Sequence, residues 1–278
     1  MNLASNSGVI LFMNTISVTQ IINNFKKFDR EFWLSYKALE QLMPPEAFEA
    51  CKMKMLKSKK VDSTILSQVD LEEFELKRLE IDAEWRKENE EAKQQGTAIH
   101  DLIRTQLIGG NSIKSDFNVI GNLATDEFLN AKEGLFVENR LELPVEEFVI
   151  IGIPDLVKID NGLVHCWDWK TSKKGIRFKS NYDLAAKKNR KLKFPLHGIN
   201  DVNGQYYTLQ LSLYMWMILQ LRPDLKPGTL NISWVQDMRV KKSFEVPYME
   251  AEVNQLIQWY IKDMRLKQEM DKCKEIQY

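Results

Sequence analysis

The sequence has 278 residues, which is enough for one large domain or for a core with an appended helical region. Hydrophobic residues make up 44%, and 39 basic residues balance 39 acidic ones, so extensive disorder and a histone-like cationic surface are both excluded. Three cysteines without a C-x-x-C pair exclude a zinc ribbon or a disulfide framework and favour a reducing, cytoplasmic setting. We expect no membrane partner, because no apolar run is long enough to span a bilayer.

The first part of the sequence, residues 1–95, is predicted to be a helical N-terminal extension. Apolar residues such as Phe32 and Tyr36 recur at helical spacing until Pro44 interrupts the pattern. Residues 71–93 are rich in Glu and Lys and carry only an uneven apolar stripe, which is typical of a long solvated helix.

Residues 96–247 are predicted to form a mixed α/β core, on which a C-terminal helix within 248–278 packs. A helix is expected to begin at Thr97, which suits an N-cap, and to end at the glycines after residue 108. The later patterns predict strands at 134–143, 148–159 and 163–170, a basic irregular segment to about 203, an apolar helix at 205–221, and short strands at 230–235 and 240–246. Helices and strands in this order indicate a mixed α/β fold.

The Asn-Gly dipeptide at residues 161–162 lies between two β-rich runs and predicts a tight hairpin, because both residues tolerate positive φ. The pairing that this turn sets continues outward until Asp155 faces Asp168. Directly opposed residues project from one face with Cβ atoms about 4.5–5.5 Å apart. Lys170 joins that face, because side chains alternate along a strand. The spacing therefore places two carboxylates and an ammonium together.

Two carboxylates this close repel each other unless a cation lies between them. Carboxylate oxygens suit Mg²⁺ or Mn²⁺, and such a metal polarises a phosphoryl group and lowers the pKa of a bound water. Lys170 is then positioned to orient the water or to stabilise charge on the phosphate. On turn and spacing alone, however, an ordinary surface hairpin with exposed aspartates is the stronger interpretation.

The wider context favours the catalytic interpretation. Gly152-x-x-Asp155, a short hairpin and then Asp168-Trp169-Lys170-Thr171 resemble the PD-(D/E)XK nuclease superfamily, and within it the RecB-like exonuclease branch, which includes the mitochondrial genome maintenance exonucleases and phage-encoded relatives. Further elements similar to that branch occur in the expected order, namely Gly96-Thr97-x-x-His100, an acidic strand residue at Glu138, and Gln210-x-x-x-Tyr214. The resemblance extends over residues 96–221.

The resemblance implies a restriction-endonuclease-like core, in which a central mixed sheet is flanked by helices. It also implies Mg²⁺ or Mn²⁺ as cofactor. The metal ligands would be Asp155, Asp168, the Trp169 carbonyl and an additional ligand, His100. An iron–sulfur cluster, present in some relatives, is not expected, because three scattered cysteines cannot supply four ligands.

The remaining roles also come from the resemblance. Lys170 would be the catalytic lysine and Glu138 an acidic helper near the metal, with Glu142 as a rival for that role. Gln210 and Tyr214 would hold the DNA strand or brace the site.

A basic segment begins directly after Lys170. Clustered cations suit phosphate contacts, and aromatic rings can stack on unpaired bases. The aromatic residues interleaved in the segment are Phe178, Tyr182 and Phe194. The predicted DNA contacts are Lys173, Lys174, Lys187, Lys188, Arg190 and Lys191.

These features predict a metal-dependent DNA exonuclease that acts at free or single-stranded DNA ends in replication, recombination or repair. Two alternatives remain, a structure-selective endonuclease and a catalytically silent DNA-binding scaffold. The sequence contains no helicase P-loop, so any unwinding would come from a helicase, single-strand-binding or recombination partner.

Overall fold

The structure is a computed structural model that describes residues 14–26, 28–108, 119–121, 125–146, 148–179, 182–183, 188–237 and 239–275. Within these residues the predicted mixed α/β fold is confirmed. The helices are α1 (Val18–Asn23), α2 (Arg30–Leu42), α3 (Pro45–Ser58), α4 (Ser63–Leu66), α5 (Leu71–Ile108), α6 (Thr125–Asn130), α7 (Asn203–Leu221) and α8 (Glu250–Glu275).

Strands form a six-stranded sheet, a three-stranded sheet and a small two-stranded one. The strands are β1 (Asn14–Ser17), β2 (Val119–Gly121), β3 (Gly134–Val137), β4 (Leu141–Val145), β5 (Phe148–Gly152), β6 (Leu156–Asp160), β7 (Leu163–Lys170), β8 (Tyr182–Asp183), β9 (Lys188–Asn189), β10 (Lys226–Gln236) and β11 (Arg239–Val246).

The six-stranded sheet has the order β11-β10-β7-β6-β3-β2 and is mixed, because β10 runs parallel to β7 while β6 is antiparallel to it. The predicted hairpin register is confirmed from Asp160↔Leu163 out to Leu156↔Trp167. The turn residues take the positive φ that such a tight connection requires, 50° at Asn161 and 74° at residue 162.

The three-stranded sheet has the order β1-β5-β4. The prediction of one strand over 148–159 is wrong, because β5 lies in this sheet and β6 lies in the larger one. The chain crosses between the sheets at residues 153–155, where Pro154 cannot donate a ladder hydrogen bond. Asp155 consequently lies at the crossing point, just ahead of β6.

The prediction of one strand over 134–143 is also wrong. The chain breaks at Glu138, whose φ is 49°, a left-handed conformation that ends β3. The Glu138 N–H donates to the Asp155 carbonyl at 3.0 Å, which ties this break to the crossing point between the sheets. β4 then starts at Leu141 in the other sheet.

The main hydrophobic core lies around α7, which contacts β4, β7, β10, α1 and α8. Leu209, Leu213 and Met217 of α7 are fully buried, which explains why the sequence of this helix is apolar on all sides. Val253 and Leu256 of α8 pack into the same cluster. Helix α1 also contributes to this core.

A second hydrophobic cluster is formed by α2, α3, α4 and the first part of α5, and we call it the helical cluster. Its buried residues include Phe32, Leu39, Phe48, Met55 and Phe74. The sequence pattern predicted a helical region here and the break between α2 and α3 at the double proline, but it did not predict α3 and α4 as separate helices.

Helix α5 is 38 residues long; it begins in the helical cluster and ends at the edge of the larger sheet. The prediction of a new helix beginning at Thr97 is wrong, because Gly96 and Thr97 lie inside α5. Glycine weakens a helix by about 1 kcal/mol relative to Ala but does not by itself end one. Among the described helices, none combines the length and the apolar character that a bilayer crossing requires.

Candidate active site

Strand β7 places Asp168 and Lys170 on one face, as alternation along a strand requires. Asp168 is only 1% exposed, and its Oδ2 lies 2.6 Å from the Lys170 Nζ. Burial of a carboxylate is unfavourable unless a cation compensates its charge. The lysine supplies that charge in the structure.

Asp155 stands beside the end of β7 at the point where the chain passes from one sheet to the other. It is 7% exposed, and its Oδ2 accepts a hydrogen bond from the Trp169 N–H at 2.6 Å. This bond fixes the carboxylate against β7, on the strand that carries Asp168. The hairpin and the crossing together bring the two carboxylates into one site.

His100 reaches the site from α5. Its Nδ1 lies 3.2 Å from Asp155 Oδ1, and its Nε2 lies 3.1 Å from the Trp169 carbonyl oxygen. Both ring nitrogens therefore face an oxygen acceptor, an arrangement that only the doubly protonated imidazolium satisfies completely. The imidazole ring thus lies between two oxygens that the family resemblance assigns to a metal.

The electrostatics of the site agree with this geometry. Burial raises the pKa of Asp168 to about 6, and the ammonium of Lys170 opposes that shift. The hydrogen bond to Asp155 raises the pKa of His100, against the effect of burial. Burial would lower the pKa of Lys170, but the charges of Asp168 and Asp155 outweigh it, and the pKa is raised. The lysine is therefore charged near neutral pH.

Helix α7 braces the lysine. Lys170 Nζ donates to Gln210 Oε1 at 3.1 Å, and Gln210 Nε2 donates to the Tyr214 hydroxyl at 2.8 Å. The spacing of four residues puts Gln210 and Tyr214 on one face of α7. A Cβ added at Gly152 would lie 2.9 Å from Tyr214 Cδ1, so the glycine permits the close approach of this tyrosine.

Two residues at the site were not predicted. The ring of Tyr207 lies 4.9 Å from Lys170 Nζ, and its position three residues before Gln210 could have revealed that it shares that helix face. Lys26, after the end of α1, interacts electrostatically with Lys170 and with Asp201. No local pattern points to Lys26, because only the tertiary fold brings it to the site.

The two acidic residues considered as helpers lie apart from each other. Glu138 is joined to the site through its backbone, while its Oε2 lies 3.5 Å from Nη1 of Arg104 on α5. Glu142 is on the smaller sheet and pairs with Arg140 at 2.6 Å. Of the two, Glu138 is the residue that the fold connects to Asp155.

The residues predicted to contact DNA are only partly brought together. Lys173 and Lys174 are exposed on the turn after β7, whereas the Arg190 guanidinium lies 3.0 Å from the buried Asp201 carboxylate. Lys191 Nζ donates to the Gly198 carbonyl at 2.9 Å, an acceptor without a formal charge. Lys187 lies outside the described residues, and of Lys188 only the backbone is described.

A divalent metal at this site would depend on the donors that Asp155, Asp168, His100 and the Trp169 carbonyl supply. Within the described residues, no three or more His, Cys, Asp or Glu side chains form a ready-made metal cluster. Mg²⁺ needs fewer protein ligands, because it usually keeps several waters and binds phosphate oxygens as well. Two buried carboxylates and a carbonyl, now facing Lys170 and His100, form a hard oxygen set that fits such an ion.

A mixed sheet that presents two carboxylates and a braced lysine on one hairpin is the kind of site that metal-dependent phosphodiester hydrolases use. The model of the PD-(D/E)XK nuclease superfamily matches residues 70–277, and the chain belongs to that superfamily. Membership makes the protein a nuclease-type hydrolase with DNA as the implied substrate.

No curated protein matches the chain. A solved structure described as the crystal structure of SSO0001 is similar at a TM-score of 0.34 and 14% identity, over 90% of this chain and 75% of that one. A likeness at this level carries no argument about function.

Proposed function

We propose that this protein is a Mg²⁺- or Mn²⁺-dependent DNA exonuclease of the RecB-like branch, which hydrolyses phosphodiester bonds at free or single-stranded ends. The observation that carries the proposal is the pair of oxygens from Asp155 and Trp169 arranged around the ring of His100, next to the buried Asp168–Lys170 pair.

The proposed residue roles follow from the contacts. A bound metal would polarise the phosphoryl group and supply an activated water. Asp155 and Asp168 would hold it, with the Trp169 carbonyl and His100 as further ligands. Lys170, fixed by Gln210, would stabilise the charge that develops on the phosphate.

The preference for ends is supported by the resemblance of the α5 and α7 motifs to the exonuclease branch. Exposed Lys173 and Lys174 next to the site are suited to phosphate contacts. We propose that the reaction serves replication, recombination or repair, with a separate helicase, single-strand-binding or recombination protein as partner. Glu138 would act as an acidic helper through its connection to Asp155.

The proposal predicts cleavage of end-labelled linear DNA with Mg²⁺ or Mn²⁺, and none with EDTA or Ca²⁺. Asp155→Ala and Asp168→Ala are expected to abolish cleavage, because each removes a metal ligand. Lys170→Ala should lower the rate by about 10²- to 10³-fold, the usual effect of removing one group that stabilises transition-state charge. DNA binding, measured by fluorescence anisotropy, should largely survive in all three variants.

The same hairpin offers a matched control. Asp160 lies at its far end and pairs with Lys158 at 2.7 Å, so Asp160→Ala should cleave like the wild type. Full activity in chelator, or wild-type rates in a folded Asp168→Ala protein, would refute the proposed chemistry. Efficient cutting of covalently closed single-stranded circles would replace the exonuclease with an endonuclease.

A further inference from the structure

The segment of residues 190–201, which we call the platform loop, is held in a fixed conformation. Its two ends are joined by hydrogen bonds from Leu192 N–H to the Ile199 carbonyl at 3.0 Å and from Asp201 N–H to the Arg190 carbonyl at 2.9 Å. Leu192 and Leu196 are buried in the main core and anchor the loop from below. The loop therefore holds the side chains at its tip in a fixed position.

Two aromatic side chains occupy that tip. The ring of Phe194 is stacked on the ring of His197, with centroids 5.9 Å apart and an angle of 12° between the planes. Phe194 is nevertheless 65% exposed, so its ring adds little to the stability of the fold. An exposed ring held in place on a rigid loop presents an apolar surface at little entropic cost for an incoming flat group.

The platform loop is connected to the candidate active site. The Lys193 N–H donates to the Phe25 carbonyl at 3.0 Å, which places the loop beside Lys26. Lys26 Nζ lies 4.5 Å from the ring of Tyr206 and is close enough to Lys170 for their charges to interact. Basic groups thus follow one another from the catalytic lysine to the tip of the loop.

The charge around the platform favours a polyanion. Arg190 is neutralised by Asp201, but Lys191 and Lys193 carry their charges on the loop, and Lys26 adds a third. A cleft of about 480 Å³ lies between α8 and the loop, and Glu252 of α8 lines it. The three lysines outnumber this acidic residue. Cations beside an exposed aromatic ring are the combination that binds unpaired nucleic acid.

We propose that Phe194 and His197 form a stacking platform for an unpaired base of single-stranded DNA, whose phosphates pass Lys193 and Lys26 on the way to Lys170. The inference rests on the proposed nuclease function and names the form of its substrate. Bases within a duplex already stack on their neighbours, so the platform selects a single strand over a blunt duplex.

The test compares Phe194→Ala with Phe194→Trp and with Leu79→Ala in the full chain. Leu79 is 65% exposed, as Phe194 is, but lies on the first part of α5, which belongs to the helical cluster, so it is a control matched in exposure. With a labelled single-stranded oligonucleotide in EDTA, Phe194→Ala should weaken binding by about 5- to 150-fold, because a base–aromatic stack contributes about 1–3 kcal/mol. Phe194→Trp and Leu79→Ala should bind like the wild type, as should Phe194→Ala with a blunt duplex.

Salt dependence separates stacking from charge. Phe194→Ala should leave the slope of log affinity against log salt unchanged, whereas Lys193→Ala should reduce it by about 0.7, the value for one phosphate contact on a single strand. Because Phe194 is exposed, the melting temperature of Phe194→Ala should match that of the wild type, which verifies its fold.

The outcomes distinguish the two proposals. If the wild-type protein cleaves DNA with Mg²⁺ but Phe194→Ala binds single strands normally, or loses single strands and duplex equally, the platform is refuted and the nuclease remains. If the wild-type protein cleaves no DNA with Mg²⁺ or Mn²⁺, the proposed function itself is overturned.

Discussion

At His100, protonation and the proposed metal binding would compete most directly. Its ring contacts Asp155 and the Trp169 carbonyl, so the imidazolium and a divalent cation would satisfy the same oxygens. A second proton is held by Asp168, whose pKa burial raises to about 6. At acidic pH the proposed metal would therefore have to displace protons from two groups.

We predict that the logarithm of Mn²⁺ affinity rises with pH with a slope approaching about 2 below pH 6, because each displaced proton contributes about 1. In His100→Asn the slope should fall to about 1, since asparagine carries no titrating proton. Isothermal titration calorimetry over a series of pH values measures both slopes. Equal slopes in the two proteins would show that His100 does not compete with the metal.

The raised pKa values of Asp168 and His100 also determine the direction in which the stability of the metal-free protein changes with pH. Asp168 holds its proton up to about pH 6, whereas the unfolded carboxyl loses it near 3.8, so stability falls as pH rises through that interval. The raised pKa of His100 acts in the same direction, because its charged form is favoured in the folded protein and is lost as pH rises. The site is thus least stable by itself at the pH where it would bind the proposed metal best.

At the scale of elements, local chemistry explains which predictions succeeded. The β6–β7 hairpin could be predicted because an Asn-Gly turn fixes the register, and the register fixes which side chains share a face. The breaks at Glu138 and Pro154 were missed, because strand-forming residues stand on both sides of each break and the change of sheet is set by tertiary pairing.

Proximity that depends on tertiary packing could not be predicted. Lys26 is far from Lys170 in sequence and reaches it only because α1 packs on α7. The bond between Lys170 and Gln210 likewise requires α7 to lie over β7, which the motif spacing does not specify. Arg190 was counted among the DNA contacts, but its ion pair with Asp201 depends on the folded loop.

The continuity of α5 can be tested at Gly96 and Thr97. Substitutions there should change the free energy of unfolding in opposite directions, depending on whether the two residues are interior to one helix or begin a new one. If Gly96 and Thr97 are interior, Gly96→Ala should raise the free energy of unfolding by about 0.5–1 kcal/mol. The added Cβ lies 3.4 Å from Thr171 Oγ1, an ordinary contact. Thr97→Ala should be neutral or mildly stabilising, whereas the loss of an N-cap would cost about 1 kcal/mol. Urea denaturation of both variants decides between a continuous helix and a new start at Thr97.

At the scale of the whole molecule, the described residues form two separate hydrophobic clusters, and α5 runs from the helical cluster to the edge of the larger sheet. The main core surrounds α7, and the helical cluster is built on α2 to α4 and the first part of α5. Separate cores are expected to open separately, because stability is a local property of contiguous packed units.

We predict different effects of Leu39→Ala and Leu209→Ala, two buried leucines in the helical cluster and the main core. Each substitution should cost about 2–5 kcal/mol locally. Leu39→Ala should accelerate amide hydrogen exchange in α2 and α3 and leave β6 and β7 protected, while Leu209→Ala should accelerate exchange in those strands. Equal acceleration in both regions by Leu39→Ala would show that the molecule opens as one unit.

Helix α5 begins in the helical cluster and delivers His100 to Asp155 near its other end. A partner that bound the helical cluster and displaced α5 along its axis would therefore change how well His100 can bind the proposed metal. Thermodynamic reciprocity then requires that the metal alter the affinity of that partner by the same factor. The N-terminal helices, which hold none of the proposed catalytic groups, would in this way be coupled to the proposed chemistry through α5.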